Sequence, residues 1–408
     1  MFSPFSHFLS YGSTDQQTIR EFAGRYDGII VPGTIAAFQA EGTRGFVLSL
    51  SAAQRTPYAI DSRFPLFQSV VDEPKKSHLA LARVLGVIDE VDSHHMVRSE
   101  FWNEDTIAHV ARNWLDFNTA YLDLQPKAFE KYARRLKKSL PQTNAQGPSW
   151  ILPPYLTVGP AYPGAAAVSG GLWEASKSLE TDLGAPGALR RVMAVQSASD
   201  LYGYVASADL NEVIIWVSNL DEQSPSSAPQ LTAYVEQVAQ IGRDGIAPFA
   251  LYGGYFAVML RAVGLRGASH GVGFSEHRNH IELKSSGAAP ARYYVQRAHK
   301  YFPIDLASEL WRRDRSLVES YYPGFAGIDP QELDYHELMM HSVEARRDEI
   351  LRSTDWSISD HVVDLVRTQA AYRADLSAIR LTTGLQTRVA SNLFHLSMWE
   401  TVLNSAVI

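Results

Sequence analysis

Several short apolar runs in this chain end in residues able to do chemistry. Tyr58–Ile60 (YAI) is followed by Asp61-Ser62-Arg63, and RVMAV by Gln196-Ser197. VIIWV leads into Ser218-Asn219-Leu220-Asp221-Glu222, and the run ending in ALY leads into Gly253-Gly254-Tyr255. A last run carries Ser269-His270-Gly271-Val272, followed by Glu276, His277 and Arg278. Together these endings hold amides, hydroxyls, one well-placed carboxylate and glycines that admit close approach. Such a mixture suits hydrogen bonding to a flat polar ring. A guanine-like base presents N–H donors to a carboxylate and a carbonyl acceptor to amides, the pairing logic by which bases are read elsewhere.

Each feature also has a plainer use. Asp61 serves equally well to cap the next helix or to pair with Arg63. Gln196 suits a turn, and Gly253-Gly254 permits a tight entry into a helix. A lone His270 is more often structural than catalytic. Glu276 with His277 and His280 has the residue types of a metal site. The basic run Lys127–Lys138 (KAFEKYARRLKK) would put several cations on one side of a helix. A solvated face is its default reading, and contact with nucleic acid or an acidic partner is the alternative.

The elements that must position these residues alternate in type. Strand candidates are Gly28–Val31, Gly45–Leu50, Tyr58–Ile60, Trp150–Leu152, Val192–Val195, Val213–Val217, Pro248–Tyr252 and a run from Ala268, each bounded by turn-forming residues. Helical patterns fall between them at Ser77–Leu85, Ile107–Asn118, Pro126–Leu140, Leu231–Ile241 and Gly254–Val263. Alternating β and α argues for a parallel sheet, and this many strands over roughly 300 residues argues for a (β/α)8 barrel. The site is then expected at the C-terminal ends of the strands. No glycine-rich dinucleotide fingerprint follows the first strand, which weakens an open doubly wound alternative. Beyond residue 302 the texture turns helical, with patterns at Tyr335–Ser353, Ser359–Leu376 and Arg388–Val402. The expected organisation is a barrel over residues 1–302 and a helical extension over 303–408.

The 408 residues are 46% apolar and 20% charged, enough for a large core. A net charge of -7 argues against a broadly basic nucleic-acid-binding surface. With no cysteine there can be no disulfide, thiolate metal site or cysteine nucleophile. No run approaches the about 20 apolar residues that span a bilayer, and the N-terminal residues lack a secretory pattern. A soluble, cytoplasmic, bacterial protein with no membrane partner is expected.

Read together, the strand ends resemble those of the tRNA-guanine transglycosylase superfamily. That family carries Asp-Ser-Gly-Gly-Phe-Gln after a strand; here Asp61-Ser62 is followed by Phe67-Gln68. Its Val-Gln-Gly-Gly end resembles Val195-Gln196-Ser197, and its Gly-Gly-Leu before a Glu resembles Asn219-Leu220 before Glu222. Its Met-Gly-Val-Gly turn resembles Tyr252-Gly253-Gly254-Tyr255, and its Pro-Val-Gly-Thr resembles Val31-Pro32-Gly33-Thr34. Arg266-Gly267 and Arg278-Asn279 match a pair that brackets the family's catalytic strand, at the same separation. The matches keep one order across residues 30–280.

The resemblance implies that Asp61 is the acid/base aspartate near the base. It also implies that Ser62, Gln196, Asn219 and Leu220 contact the base edge, and that Gly253, Gly254 and Tyr255 shape the pocket wall. The family's second base-reading aspartate falls at Thr157, a departure. Its nucleophile falls at Val272, which cannot attack ribose C1′, and its cysteine-rich zinc site has no counterpart, so neither metal nor cofactor is expected. Divergent relatives of this kind occur beside 7-deazaguanine genes and in antiphage loci, including CBASS systems with a QueC-like protein. The leading expectation is a pocket for a guanine or 7-deazaguanine derivative, presented by tRNA, DNA or a modified protein partner (a CD-NTase or a QueC-like protein), on a homodimer. The alternative is an active transglycosylase with a displaced nucleophile, for which Asp61 or His270 would serve. A third class is an unrelated barrel hydrolase pairing Glu276 with Asp61.

Overall fold

Gly28–Pro32 and Tyr58–Asp61 are short runs rich in β-branched and aromatic residues, and both are buried along their whole length. Only a strand covered on both faces tolerates that pattern, which is the signature of a parallel α/β sheet. The computed structural model describes residues 5–136, 139–180, 187–218, 220–272, 292–319 and 324–406. Its strands are β1 (Ser6–Ser10), β2 (Gly28–Pro32), β3 (Tyr58–Asp61), β4 (Trp150–Ile151), β5 (Thr157–Val158), β6 (Val192–Val195), β7 (Glu212–Val217), β8 (Ala247–Ala250), β9 (Gly267–Gly271), β10 (Arg292–Val295) and β11 (Lys300–Pro303). β1–β4 form one run of paired strands, β5–β7 a second, β8 and β9 a third, and the last two form a separate hairpin. The chain divides into two compact bodies, Phe8–Asn219 with Asn279–Lys284, and Leu220–Arg278 with Ser285–Ile408 and Met1–His7.

In the body containing Phe8–Asn219 the pairings are parallel. β2 lies between β1 (Leu9↔Ile29) and β3 (Ile30↔Ala59), and β3 pairs with β4 (Ile60↔Ile151). A second run joins β5 to β6 (Val158↔Val195) and β6 to β7 (Ala194↔Trp216). Ile151 also makes an isolated parallel bridge to Leu189, with Ile151 N–H donating to Ala188 O at 2.9 Å and Arg190 N–H to Ile151 O at 3.0 Å.

Between β4 and β5 the ladder stops, because Pro153 and Pro154 carry no N–H. Leu152, Tyr155, Leu156 and Thr157 are nevertheless buried, so their backbone groups need partners from side chains. Trp114, on helix Glu104–Thr119, donates Nε1–H to Leu152 O at 2.7 Å. Ser169, on helix Ala165–Glu180, accepts from Leu156 N–H at 2.8 Å. Gln68, ending the short 3-10 helix Phe64–Gln68, accepts from Thr157 N–H at 2.6 Å and donates to Thr157 O at 3.1 Å. Its amide thus acts as one rung of a ladder.

The helical reading between strands agrees with the structure at Lys76–Leu85, Glu104–Thr119 and Ala228–Arg243. Gly45–Leu50, expected as a strand, lies inside helix Ala40–Gln54. A short apolar run carries no period that separates the two, and here the burial of consecutive residues Phe46–Ser51 reflects a helix enclosed on most sides. β1, β5 and the β10–β11 hairpin were not anticipated.

The other body holds the parallel pair β8–β9 (Phe249↔Gly267) and the antiparallel pair β10–β11 (Tyr294↔Tyr301). Its C-terminal region is helical, with Ile304–Arg313, Tyr335–Arg352, Ile358–Ala378 and Thr383–Ser405. Reciprocal caps, Asp334 with Glu337 and Ser357 with Asp360, satisfy orphan N–H groups at two of the helix starts. Glu349 is buried and accepts from Tyr294 Oη at 2.9 Å, His299 Nδ1 at 2.6 Å and Arg346 Nη1 at 3.1 Å. Two further histidines donate Nε2–H to carbonyls of the hairpin, His341 to Tyr294 O at 2.6 Å and His395 to Ala298 O at 2.7 Å. Among the described residues, no helix is long and apolar enough to cross a membrane.

Two measurements check this account. Gln68→Leu strands the buried N–H and C=O of Thr157, and a destabilisation of about 1–3 kcal/mol is expected by denaturant titration. Burial pushes His341 and His361 down to about 4 and His395 to about 3. Unfolded histidines take up a proton near pH 6.5, so the unfolded state binds more protons below that pH and stability falls as pH drops from 6.5 toward 4. Unfolding free energy followed against pH should be flat from 8 to about 6.5 and decline below it; a flat profile down to pH 4.5 would contradict these neutral, buried rings.

Candidate functional site

Asp61 is the last residue of β3 and has 0% of its surface exposed. Its Oδ1 accepts from the Tyr155 hydroxyl at 2.8 Å and from Arg63 N–H at 3.0 Å. The second contact closes an Asx turn, in which a side chain accepts from the backbone two residues on. It requires Arg63 to adopt a left-handed conformation (φ 52°), unusual for a residue with a Cβ. The Arg63 guanidinium then lies 4.0 Å from Oδ2. Ser62 is buried, and its hydroxyl accepts from Phe64 N–H at 3.4 Å. Tyr155 is buried with its ring edge toward Trp216 at 6.3 Å.

Thr157 opens β5, two residues after Tyr155, and is fully buried. Gln196 follows β6 directly, and its N–H donates to Val158 O at 2.8 Å. The Gln196 side chain lies over Gly159, where an added Cβ would stand 2.3 Å from Gln196 Oε1 and 2.8 Å from Gln196 Cβ. Asp61, Ser62, Thr157 and Gln196 therefore belong to one body and follow or open strands at its C-terminal edge. Tyr155 links Asp61 to Thr157 along the chain, and the end of the β5–β6 ladder links Thr157 to Gln196.

Leu220, Gly253, Gly254, Tyr255 and His270 belong to the other body. There Glu222, buried, accepts from Gly254 N–H at 2.9 Å and Phe256 N–H at 3.1 Å, and so caps helix Tyr255–Met259. A Cβ on Gly253 would stand 2.7 Å from Ala257 Cβ, which explains a glycine at the turn. Tyr255 is buried, and its ring stacks on His299 at 3.6 Å. His270 is buried with Nδ1 2.8 Å from Gly253 O. Burial first, then Arg346 and His7, holds its pKa well below the ordinary histidine value, so the ring is neutral and Nδ1–H is the donor. The Ser269 hydroxyl donates to Leu251 O. Leu220 is half-buried and Val272 buried.

Asn219 lies outside the described residues, as do Glu276, His277, Arg278, Asn279 and His280. Among the described residues, no group of three or more histidine, aspartate or glutamate side chains could hold a metal ion. The basic run lies on helix Pro126–Arg135 as far as Arg135, with Lys127, Lys131, Arg134 and Arg135 exposed, and Lys137 and Lys138 lie outside the described residues. Sequence reasoning passed over Tyr155, and took Phe67-Gln68 only as a motif match. The Pro153-Pro154 doublet was the available signal. It marks backbone that must be satisfied by side chains, and both residues belong to that arrangement.

No protein-family model and no curated protein matches this chain. Among solved structures, an engineered protein is 11% identical with a TM-score of 0.38, covering 67% of this chain and 65% of that one. The chain thus spans just under two thirds of that protein's length. A modular endo-beta-1,4-mannanase from Cellulomonas fimi is 10% identical with a TM-score of 0.38, covering 70% of this chain and 68% of that one. Likeness at this level carries no assignment.

The packing of Gln196 is open to a direct check. Gly159→Ala should push the Gln196 side chain off its present course and destabilise the protein by roughly 1–3 kcal/mol through overpacking. Thermal melts of the variant measure it, and an unchanged melting temperature would show that Gln196 does not rest there.

Proposed function

We propose that this chain binds a flat oxopurine-like ring, of the guanine or 7-deazaguanine class, at the strand ends that carry Asp61, Thr157 and Gln196, and does not exchange it. The observation that carries the reading is Asp61 itself: a carboxylate at a C-terminal strand end, removed from solvent and fixed by Tyr155 and the Arg63 amide. A charged group so placed is suited to receive N–H donors with little reorganisation. Binding there needs movement of the surrounding rim, since Asp61 has no exposed surface. The buried Val272 stands where the resemblance puts a nucleophile and supports recognition over base exchange.

The fold that goes with this reading is a (β/α)8 barrel in which Trp150–Val158 counts as one strand broken at Pro153-Pro154. The bridge between Ile151 and Leu189, just ahead of β6, supports it. The resemblance to divergent relatives in 7-deazaguanine and antiphage loci points to a cytoplasmic role in bacterial antiviral defence. The base would then be presented by a nucleic acid or a modified protein, to a homodimer.

Calorimetry with guanine, preQ0 and preQ1 tests the reading. Binding by at least one is expected, with Asp61→Ala weakening it about tenfold or more, as loss of a hydrogen bond to a charged group should. No heat from any of the three at ligand concentrations of about 1 mM would sink it. Radiolabelled guanine should not enter tRNA or DNA; incorporation would favour an active transglycosylase.

A further inference from the structure

We propose that the cleft between helices Ile358–Ala378 and Thr383–Ser405 binds a medium-chain aliphatic carboxylate, with its chain against Leu376, Leu393 and Phe394 and its head on Arg373. The proposal stands apart from the base-binding reading. Both helices belong to the body that contains Ser285–Ile408. Gln369, Tyr372, Arg373 and Leu376 fall at the spacing of a single helical face, and so do Gln386, Val389, Ala390, Leu393 and Ser397 on the second helix. Two such faces ordinarily close on each other. Here Ser377, Ala390 and Ser397 are too small to fill the space between them, and a cavity of about 490 Å³ remains. That lies within the roughly 300–1,000 Å³ of small-molecule sites. Leu376, Leu381 and Leu393 are only half-buried along it, and Phe394 keeps 47% of its surface exposed.

The polar groups of the lining say which end of a ligand goes where. Ser377 and Ser397 turn their hydroxyls back to Ala374 O at 2.7 Å and Phe394 O at 2.9 Å. The Tyr372 hydroxyl donates to Leu317 O at 2.9 Å, and the Gln369 amide to Glu400 at 2.7 Å. The side chains of Arg373 and Gln386 make no hydrogen bond or ion pair among the described residues. Arg373 is also the one charged side chain of the lining, so charge complementarity calls for an anionic head. A guanidinium offers a carboxylate two parallel N–H donors. Arg373 and Gln386 both lie within about two turns of the loop that joins the helices. Glu400 pairs with Gln369 away from that loop and turns an anion toward it. From Gln369 to Ser377 the cavity follows about 12 Å of helix, and from Gln386 to Ser397 about 16 Å, the span of a medium-length alkyl chain. A stable protein interface takes about 20–30 residues on each side, more than line this cavity.

Calorimetry of the full-length protein with dodecanoate, kept below its micelle concentration, is the test. Dodecanoate should bind with a Kd of about 100 μM or tighter. It should bind at least about tenfold more tightly than dodecyltrimethylammonium, which has the same chain and the opposite charge. Ala390→Trp fills the cavity and should weaken dodecanoate about tenfold or more. Arg373→Gln should bring the two amphiphiles within about threefold of each other. Ala390 and Arg373 are exposed, so neither change disturbs buried packing. The proposal is overturned by no heat from dodecanoate, by equal affinity of the wild type for both amphiphiles, or by either variant binding as the wild type does. It is also overturned by a dimer that dissociates on Ala390→Trp and is indifferent to dodecanoate, since a second copy would then cover the cleft.

Discussion

A stretch of buried chain that cannot join a ladder is the constraint on which the candidate site depends. Pro153 and Pro154 deprive the segment between β4 and β5 of donors, and the segment is too deep for water to make up the difference. The solution is to borrow partners from three neighbouring elements: an indole, a hydroxyl and a primary amide. Each borrowed bond also fixes a position. Tyr155 is delivered to Asp61 and Thr157 to Gln68 because the backbone between them has no freedom left. A glutamine amide is well suited to the Thr157 position, since it presents a donor and an acceptor side by side, as a peptide group does.

Asp61 shows the same economy on a smaller scale. A buried carboxylate is unfavourable unless its oxygens are engaged. Here one oxygen takes a phenol and a backbone amide. The left-handed Arg63 is the local strain that turns the amide inward, and non-glycine residues in that region persist only where surrounding contacts hold them.

The C-terminal region solves a comparable problem with charge. Glu349 is enclosed by Tyr294, His299 and Arg346, and two neutral histidines hold carbonyls in and beside the β10–β11 hairpin. Removal of one partner from such a buried ion pair typically costs about 3–5 kcal/mol, because the remaining charge is stranded. These contacts consume Tyr255, whose ring lies flat on His299. A residue that looked like pocket wall is thereby a brace for the helical region.

Much of the architecture could be read along the chain. The β-rich runs at Gly28, Tyr58, Val192 and Val213 were legible because strands buried on both faces are continuous apolar stretches ended by turn residues. The long C-terminal helices were legible from a sustained helical pattern that no proline interrupts between residues 332 and 408. Gly45–Leu50 was misread because a short apolar run looks alike in a buried helix and a buried strand. β5 and β10–β11 escaped because strands of two to four residues carry almost no periodic signal. For the site, the sequence by itself determined that Asp61 and Gln196 sit at strand ends, since strand boundaries are local, whereas Thr157 was marked only by the family resemblance and its strand was not legible. Only the tertiary structure decided that Tyr155 meets Asp61 and Gln68 meets Thr157. Those pairs are separated by 94 and 89 residues, and a hydrogen bond over that separation is set by packing, which no local pattern encodes.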